Sequence, residues 1–181
     1  MNILITGGTG YIGSHTSIIL TKAGHKITIV DNLCNSNIEV IGQLIKIIGS
    51  KVNFINGDVR NTSLMTDWAI SDSAVKVSIL RCFNPVGAHE SGLIGEYPNQ
   101  SPNNLIPYIT KVISGSLTHL NIYGNDYETR DGTGERDYIH MMDLDEGHLA
   151  ALGHLKNNFG VHIYNLGMGH STTVLELIKI F

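Results

Sequence analysis

The stretch Asn2-Ile3-Leu4-Ile5-Thr6-Gly7-Gly8-Thr9-Gly10-Tyr11-Ile12-Gly13-Ser14-His15 decides how the rest of the chain is read. Asn2 to Thr6 is a short apolar run that halts at glycines, the pattern of a buried strand. Tyr11 to Ala23 carries Ile12, Ile18, Ile19 and Leu20 at spacings that suit a helix packed on a sheet, with Gly24 where a C-cap belongs. Gly7, Gly10 and Gly13 lie between the two as G-x-x-G-x-x-G. Three missing side chains at that spacing permit a tight turn, close approach of backbone to a pyrophosphate, and close helix–strand packing. The helix start adds free N–H groups and the positive end of its dipole. Glycine turns also serve structure alone, so the context decides. A strand precedes this one, a helix follows it, and Asp31 closes the next strand about 20 residues on. A carboxylate there suits the ribose hydroxyls of NAD and disfavours the extra phosphate of NADP. No Lys-Ser/Thr pair follows the glycines, which excludes a nucleoside-triphosphatase phosphate loop.

Outward from this turn the alternation continues. Lys26 to Val30 is a second strand, ending at Asp31, and Asn32 to Ser36 is loop. Ile38 to Ile48 is helical up to Gly49, and Lys51 to Ile55 is a third strand running into Gly57-Asp58. Strand, helix, strand, helix and strand in about 57 residues make one mononucleotide-binding half with right-handed crossovers. The pattern then breaks. Asn61 to Ser73 is short and polar, helical or irregular. Lys76 to Arg81 is a strand, and Cys82 to Pro85 leads into a long Gly/Pro/Asn loop, Val86 to Asn104. Leu105 to Ser114 reads as helix, Asn121 to Tyr123 as a short strand, Asn125 to Glu135 as a charged loop, and Tyr138 to His140 as extended. A helix is expected from Asp143, with Glu146 completing a capping box, to about Asn157. A strand over Val161 to Leu166 and a helix from Thr172 or Thr173 to Phe181 follow. There is no internal repeat or low-complexity tract.

Composition excludes several classes. The chain has 181 residues, enough for one domain or two small ones. Twelve Lys+Arg against sixteen Asp+Glu give a net charge of −4, without the basic excess of a nucleic-acid binder. At 42% hydrophobic residues, the chain is not disordered. No apolar run approaches the roughly 18 residues of a membrane span, and the N-terminus lacks the pattern of a signal peptide. Cys34 and Cys82 form neither a disulfide framework nor a zinc pattern. These features predict a cytoplasmic protein with no membrane or nucleic-acid partner.

Two acidic clusters have the composition of sites. His140, Asp143, Asp145, Glu146 and His148 could ligate a metal, but no H-E-x-x-H is present, and a helix start with acids in its first turn explains them. No metal is expected. Asp126, Glu128, Asp131, Glu135 and Asp137 sit on a glycine-bearing loop and read as solvated rather than as paired catalytic carboxylates. His89 and His119 read as surface or loop residues.

The opening motif resembles the start of the extended short-chain dehydrogenase/reductases. Further blocks make the chain similar to the UDP-glucose 4-epimerase family: Asp31-Asn32-Leu33-Cys34-Asn35-Ser36, Gly57-Asp58-Val59-Arg60, Leu80-Arg81-Cys82-Phe83-Asn84-Pro85-Val86-Gly87-Ala88-His89, Pro102-Asn103-Asn104-Leu105, Gly124-Asn125-Asp126-Tyr127, and Asp131 through His140. Cys82 stands where that family usually has Tyr. The resemblance implies an α/β fold: a Rossmann-type doubly wound parallel sheet, truncated, with part of a smaller UDP-sugar-binding region. Residues 1–81 would be the NAD-binding portion, and 82–181 a substrate-binding region interleaved with the end of the sheet. Gly7, Gly10, Tyr11, Ile12 and Gly13 would cradle the NAD pyrophosphate. Asp31, Asn32, Asn35 and Ser36 would hold the adenosine ribose, Asp58 and Val59 would lie by the adenine, and Phe83 would approach the nicotinamide. Asn84, Asn104, Leu105, Asn121, Tyr123 and Arg136 would bind the UDP-sugar, Arg136 as the diphosphate clamp. The implied activity is interconversion of UDP-glucose and UDP-galactose by transient oxidation at C4, in a homodimer. A tyrosine would take the O4 proton while hydride leaves C4. The choice between UDP-hexose and UDP-N-acetylhexosamine stays open.

The resemblance also exposes a gap. The family places a fourth and a fifth strand, a Ser/Thr and a Tyr-x-x-x-Lys pair between the Gly-Asp-Val-Arg and Arg-x-Phe-Asn-Pro blocks. Here only about twenty residues separate those blocks, and the central strands would be missing at a join near 64–67. The seven tyrosines are Tyr11, Tyr97, Tyr108, Tyr123, Tyr127, Tyr138 and Tyr164. Four residues on stand His15, Ser101, Val112, Tyr127, Asp131, Met142 and Met168, none of them lysine. The family's further C-terminal UDP-binding residues are also expected to be absent. The expected catalytic Ser/Thr, Tyr and Lys are missing, so an inactive epimerase is expected. The alternative is a non-catalytic NAD- or nucleotide-sugar-binding remnant, or the product of an internally deleted gene. Either the strand near Val77 moves in beside the first strand, or an open edge remains.

Overall fold

The computed structural model describes residues 1–60, 77–99, 101–158 and 161–181. Its first part follows the expected alternation: β1 (Asn2–Thr6), α1 (Tyr11–Lys22), β2 (Lys26–Asp31), α2 (Glu39–Ile48) and β3 (Asn53–Asn56). The three strands form one parallel sheet in the order β1-β2-β3, with Ile3 opposite Ile27 and Ile29 opposite Phe54. Val40, Ile41, Leu44, Ile47 and Ile48 repeat at helical spacing along α2 and pack on the core. Gly49 ends that helix in the left-handed conformation, φ 73°, which only glycine adopts freely. Ile5, Ile18, Leu20, Ile27, Ile29, Leu44 and Val52 form the core, joined by Ile94 from the later loop. Ile29 and Leu44 are fully buried, each worth about 1.5–3 kcal/mol over exposure.

The second part contains β4 (Val77–Cys82), β5 (Asn84–Val86), α3 (Leu105–Ile113), β6 (Glu135–Arg136), β7 (Tyr138–His140), α4 (Met141–Asn157), β8 (Val161–Leu166), β9 (Thr172–Thr173) and α5 (Val174–Ile180). β4 pairs in parallel with β8 and β5 with β7, while β6 and β9 pair antiparallel. Among the described residues no strand joins β4 to β1, and β1 has β2 as its one sheet neighbour. The two parts meet through α1 and α4, where the Thr16 hydroxyl donates to Asp145 Oδ1 at 3.0 Å.

Several expectations are corrected. Asn121 to Tyr123 is exposed and pairs with no described strand. Asn84–Val86, expected as the end of the preceding strand running into a loop at Val86, is a separate strand, because β7 offers it an extended partner. The fourth helix begins at Met141 rather than Asp143, since the His140 side chain caps it by accepting from the Met142 amide at 3.2 Å. Thr173 caps α5 in a full capping box with Glu176. Asp131 and Asp137 are more than solvated loop acids. Asp131 accepts from Thr133 and from the Thr173 hydroxyl, and Asp137 accepts the amides of Met168 and Gly169, both at 2.8 Å. His89 is buried, 4% exposed, with Nδ1 against Ser91. The join expected near 64–67 lies outside the described residues.

Candidate functional site

Two cavities, about 610 and 870 Å³, meet at Gly7, Gly10, Tyr11 and Glu96. The turn between β1 and α1 builds their shared wall. Gly7 sits at φ 66°, and a Cβ on Gly13 would stand 2.3 Å from the Gly7 carbonyl oxygen and 2.7 Å from Gly8 Cα. The backbone therefore folds on itself as tightly as atoms permit. Gly10 caps α1 with no side chain, and the first turn carries no acid, so its amides keep their capacity for an anion.

The smaller cavity gathers Gly7, Gly10, Tyr11, Asp31, Asn32, Asn35 and Ser36. Asp31, 8% exposed, is held rigidly at the end of β2. Its Oδ2 accepts the Thr9 amide at 3.1 Å, and its Oδ1 accepts the Leu33 amide at 2.9 Å and the Ser36 hydroxyl at 3.2 Å. Burial alone would raise this carboxyl, but those bonds outweigh it and hold it below the ordinary carboxylate range. The Thr9 hydroxyl adds to these bonds, so the carboxylate is fixed in place where β2 ends. The 94–98 loop closes the far wall, tied down where Asn99 Nδ2 donates to the Ser36 carbonyl at 2.6 Å. Asp58 lies beside this region, bonded by Asn32 Nδ2 at 3.2 Å, and the Arg60 guanidinium holds its carboxyl far below the usual range. Val59 is exposed, and neither Asp58 nor Val59 lines the cavity.

The larger cavity takes Ile12, Gly13, Phe83 and Asn104 in addition to the shared turn. The Tyr11 hydroxyl donates to the Gly87 carbonyl at 2.5 Å. Burial, with the charges of Glu96 and Asp145 adding to it, pushes this phenol up. The remaining residues expected to bind the sugar are not gathered here. Leu105 opens α3 next to Asn104. Asn84 sits in β5, where its amide donates to the Asp137 carbonyl at 3.0 Å. Asn121, Tyr123 and Arg136 are exposed, Tyr123 by 83%.

Sequence reasoning passed over two residues that line the cavities, Thr9 and Glu96, and read a third, Asp145, only as an acid at a helix start. Thr9 braces Asp31 through its amide and meets Ser36 through its hydroxyl at 2.7 Å. Glu96 borders both cavities, its carboxyl raised by burial although Asn104 Nδ2 donates to it at 2.6 Å. Asp145 is 1% exposed, and burial pushes it up to about 7, only partly offset by Thr16. Asp145 had a readable signal: it follows Met141 by four residues on the stripe that includes Leu144 and His148. Among the described residues no three potential ligands group as a metal site.

A βαβαβ sheet with a glycine turn against a helix start and a carboxylate closing the second strand defines a Rossmann-type dinucleotide-binding protein. Residues 62–167 match the NAD dependent epimerase/dehydratase family, and residues 4–73 match GDP-mannose 4,6 dehydratase. The chain belongs to the NAD dependent epimerase/dehydratase family. It is 35% identical to a UDP-glucose 4-epimerase of Neisseria meningitidis serogroup A over 275 aligned positions, covering 99% of this chain and 81% of that protein. It is 34% identical to that of Haemophilus influenzae, covering 100% and 82%. A crystal structure of UDP-glucose 4-epimerase from Bifidobacterium longum with NAD+ and UDP superposes with a TM-score of 0.89 at 31% identity, covering 99% of this chain and 82% of that one. With 275 aligned positions and 181 residues, at least 94 positions of the Neisseria protein face no residue here.

Proposed function

We propose that this chain is a UDP-glucose 4-epimerase homologue that keeps the adenosine side of an NAD cradle and lacks the machinery for turnover. The cradle fits the cofactor. A Cβ would fill the turn at Gly13, the start of α1 offers amides to a pyrophosphate, and Asp31 presents a fixed carboxylate to a ribose. When bound, the nicotinamide would supply hydride acceptance from C4 of the sugar. Glu96 and Asn104 would face the middle of that ligand, and Arg136 would meet the diphosphate of a UDP-sugar. Residues 1–81 would act as the NAD-binding portion and 82–181 as the substrate region. The two family matches overlap at 62–73, which supports a join there. The absence of any segment long enough to cross the bilayer as a helix among the described residues is consistent with a cytoplasmic setting.

One observation carries the expectation of inactivity: no tyrosine has a lysine four residues on. A positioned acid–base group is worth roughly 10²–10⁴ in rate, and misplacing the sugar costs about another 10². Tyr123 and Tyr138 are the candidate stand-ins. Burial pushes the Tyr138 phenol up, the wrong direction for a base. The test is conversion of UDP-galactose, read by coupled UDP-glucose dehydrogenase, with protein from a host lacking its own epimerase and with added NAD. No turnover is expected. Turnover that vanishes in Tyr123→Phe or Tyr138→Phe would overturn the proposal.

A further inference from the structure

The larger cavity touches Ile3, Leu4, Ile5 and Thr6, four consecutive residues of β1. Successive side chains of a strand point to opposite faces, so a space that meets four in a row runs along the strand's edge. That edge has no sheet partner among the described residues. Across the cavity stand Ser78, Leu80 and Cys82, alternate residues on one face of β4, and α4 roofs the space with Ala151, Leu152 and Leu155. Ser78 Oγ is buried without a hydrogen-bond partner. The result is a slot, apolar between β4 and α4 and polar toward Glu96, Asn104 and His148, with a row of backbone donors and acceptors along one side and an unsatisfied hydroxyl on the other. An extended polypeptide has the chemistry to meet both, since its amides repeat at the spacing of the strand edge.

The chain's own relatives indicate the occupant. At least 94 positions of the Neisseria meningitidis protein have no counterpart here, and the two family matches overlap at 62–73, directly before β4 begins at Val77. The absent stretch therefore falls, in sequence, directly before the strand whose Ser78, Leu80 and Cys82 line the slot. We propose that the slot beside β1 is a docking site for that central segment supplied as a separate polypeptide, which adds a strand to the edge of β1 that no described strand covers and packs beneath α4. The inference uses the family assignment but no nucleotide, so its failure can be told apart from failure of the reading above.

The experiment is amide hydrogen exchange on the full chain, without NAD or sugar, before and after adding an equimolar polypeptide. That polypeptide has the sequence of the Neisseria meningitidis serogroup A enzyme over the positions unmatched here. Alternate amides of residues 3–6 are expected to slow by at least about 100-fold. Leu155→Arg, which places a charge in the slot, should abolish the slowing, while unchanged exchange at Ile27 to Val30 reports an intact sheet. No slowing at residues 3–6 overturns the proposal. So does equal slowing in the chain alone, whether in the monomer or through self-association at raised concentration, because the edge is then already covered or taken by a second copy.

Discussion

The two cavities that meet at the glycine turn are closed by different means. The smaller takes most of its walls from neighbours in sequence: the turn, the Asp31–Asn37 segment and the first residues of α2, with one loop folded over. The larger needs β1, β4 and α4, elements brought together from across the chain, and it lies along a strand edge that nothing described covers. A site built from consecutive units survives the loss of a central segment. A site built from distant strands becomes a slot.

The largest expected effect falls on the local side. Gly13→Ala would force a Cβ to within 2.3 Å of the Gly7 oxygen, and NAD affinity by calorimetric titration should fall at least about 100-fold, since moving this turn costs about 3 kcal/mol or more. Unchanged affinity would show that the turn is not the anchor.

Next comes the carboxylate between the two halves. Asp145 titrates near 7 in the folded chain against an ordinary value of 3.8. Below about pH 4 it is protonated folded and unfolded alike. From there to about pH 7 the folded state holds a proton that the unfolded chain releases, so stability falls as pH rises through that window. Asp145→Asn should remove this slope. At pH 8 the gain should be on the order of 2 kcal/mol, raising Tm by roughly 4–8 °C, with the difference closing toward pH 4. A variant that melts lower than the parent at pH 8 would contradict the assignment.

Asp31→Asn should weaken NAD by roughly tenfold, the worth of one charge-assisted hydrogen bond. The smallest effect bears on the open side. ADP-ribose should bind within about threefold of NAD, a difference under about 0.7 kcal/mol, because the nicotinamide end finds few neighbours. Much tighter binding of NAD would mean that the larger cavity is better formed than the open β1 edge implies.

The same contrast governs what could be read in advance. β1 to β3 and the two helices between them were legible because each apolar run ends at a glycine or an acid and packs on its neighbour. Asn121 to Tyr123 reads as a strand by composition yet has no partner strand to pair with. Met141 escaped as a helix start because the cap is His140, a residue with little capping signature. The loop carrying Ile94 and Glu96 has no periodicity, so its burial against the first sheet and its place over both cavities follow from tertiary contacts alone. Asp145 reads in the sequence as one of several acids near a helix start, because its charge is more conspicuous than its place on the buried stripe of α4.

The registers also bear on the order in which this chain acquires its structure. Asn2 meets Lys26 and Thr28 meets Asn53, separations of 24 and 25 residues, whereas Val77 meets Val161, 84 residues away. Closing the longer loop costs about 1 kcal/mol more in chain entropy, before any contact offsets it. Rates fall as contacts become less local, so the first sheet is expected to form before β8 closes on β4. On a ribosome the first sheet would be complete before β8 had been made, holding an uncovered edge through the interval in which the remainder is synthesised.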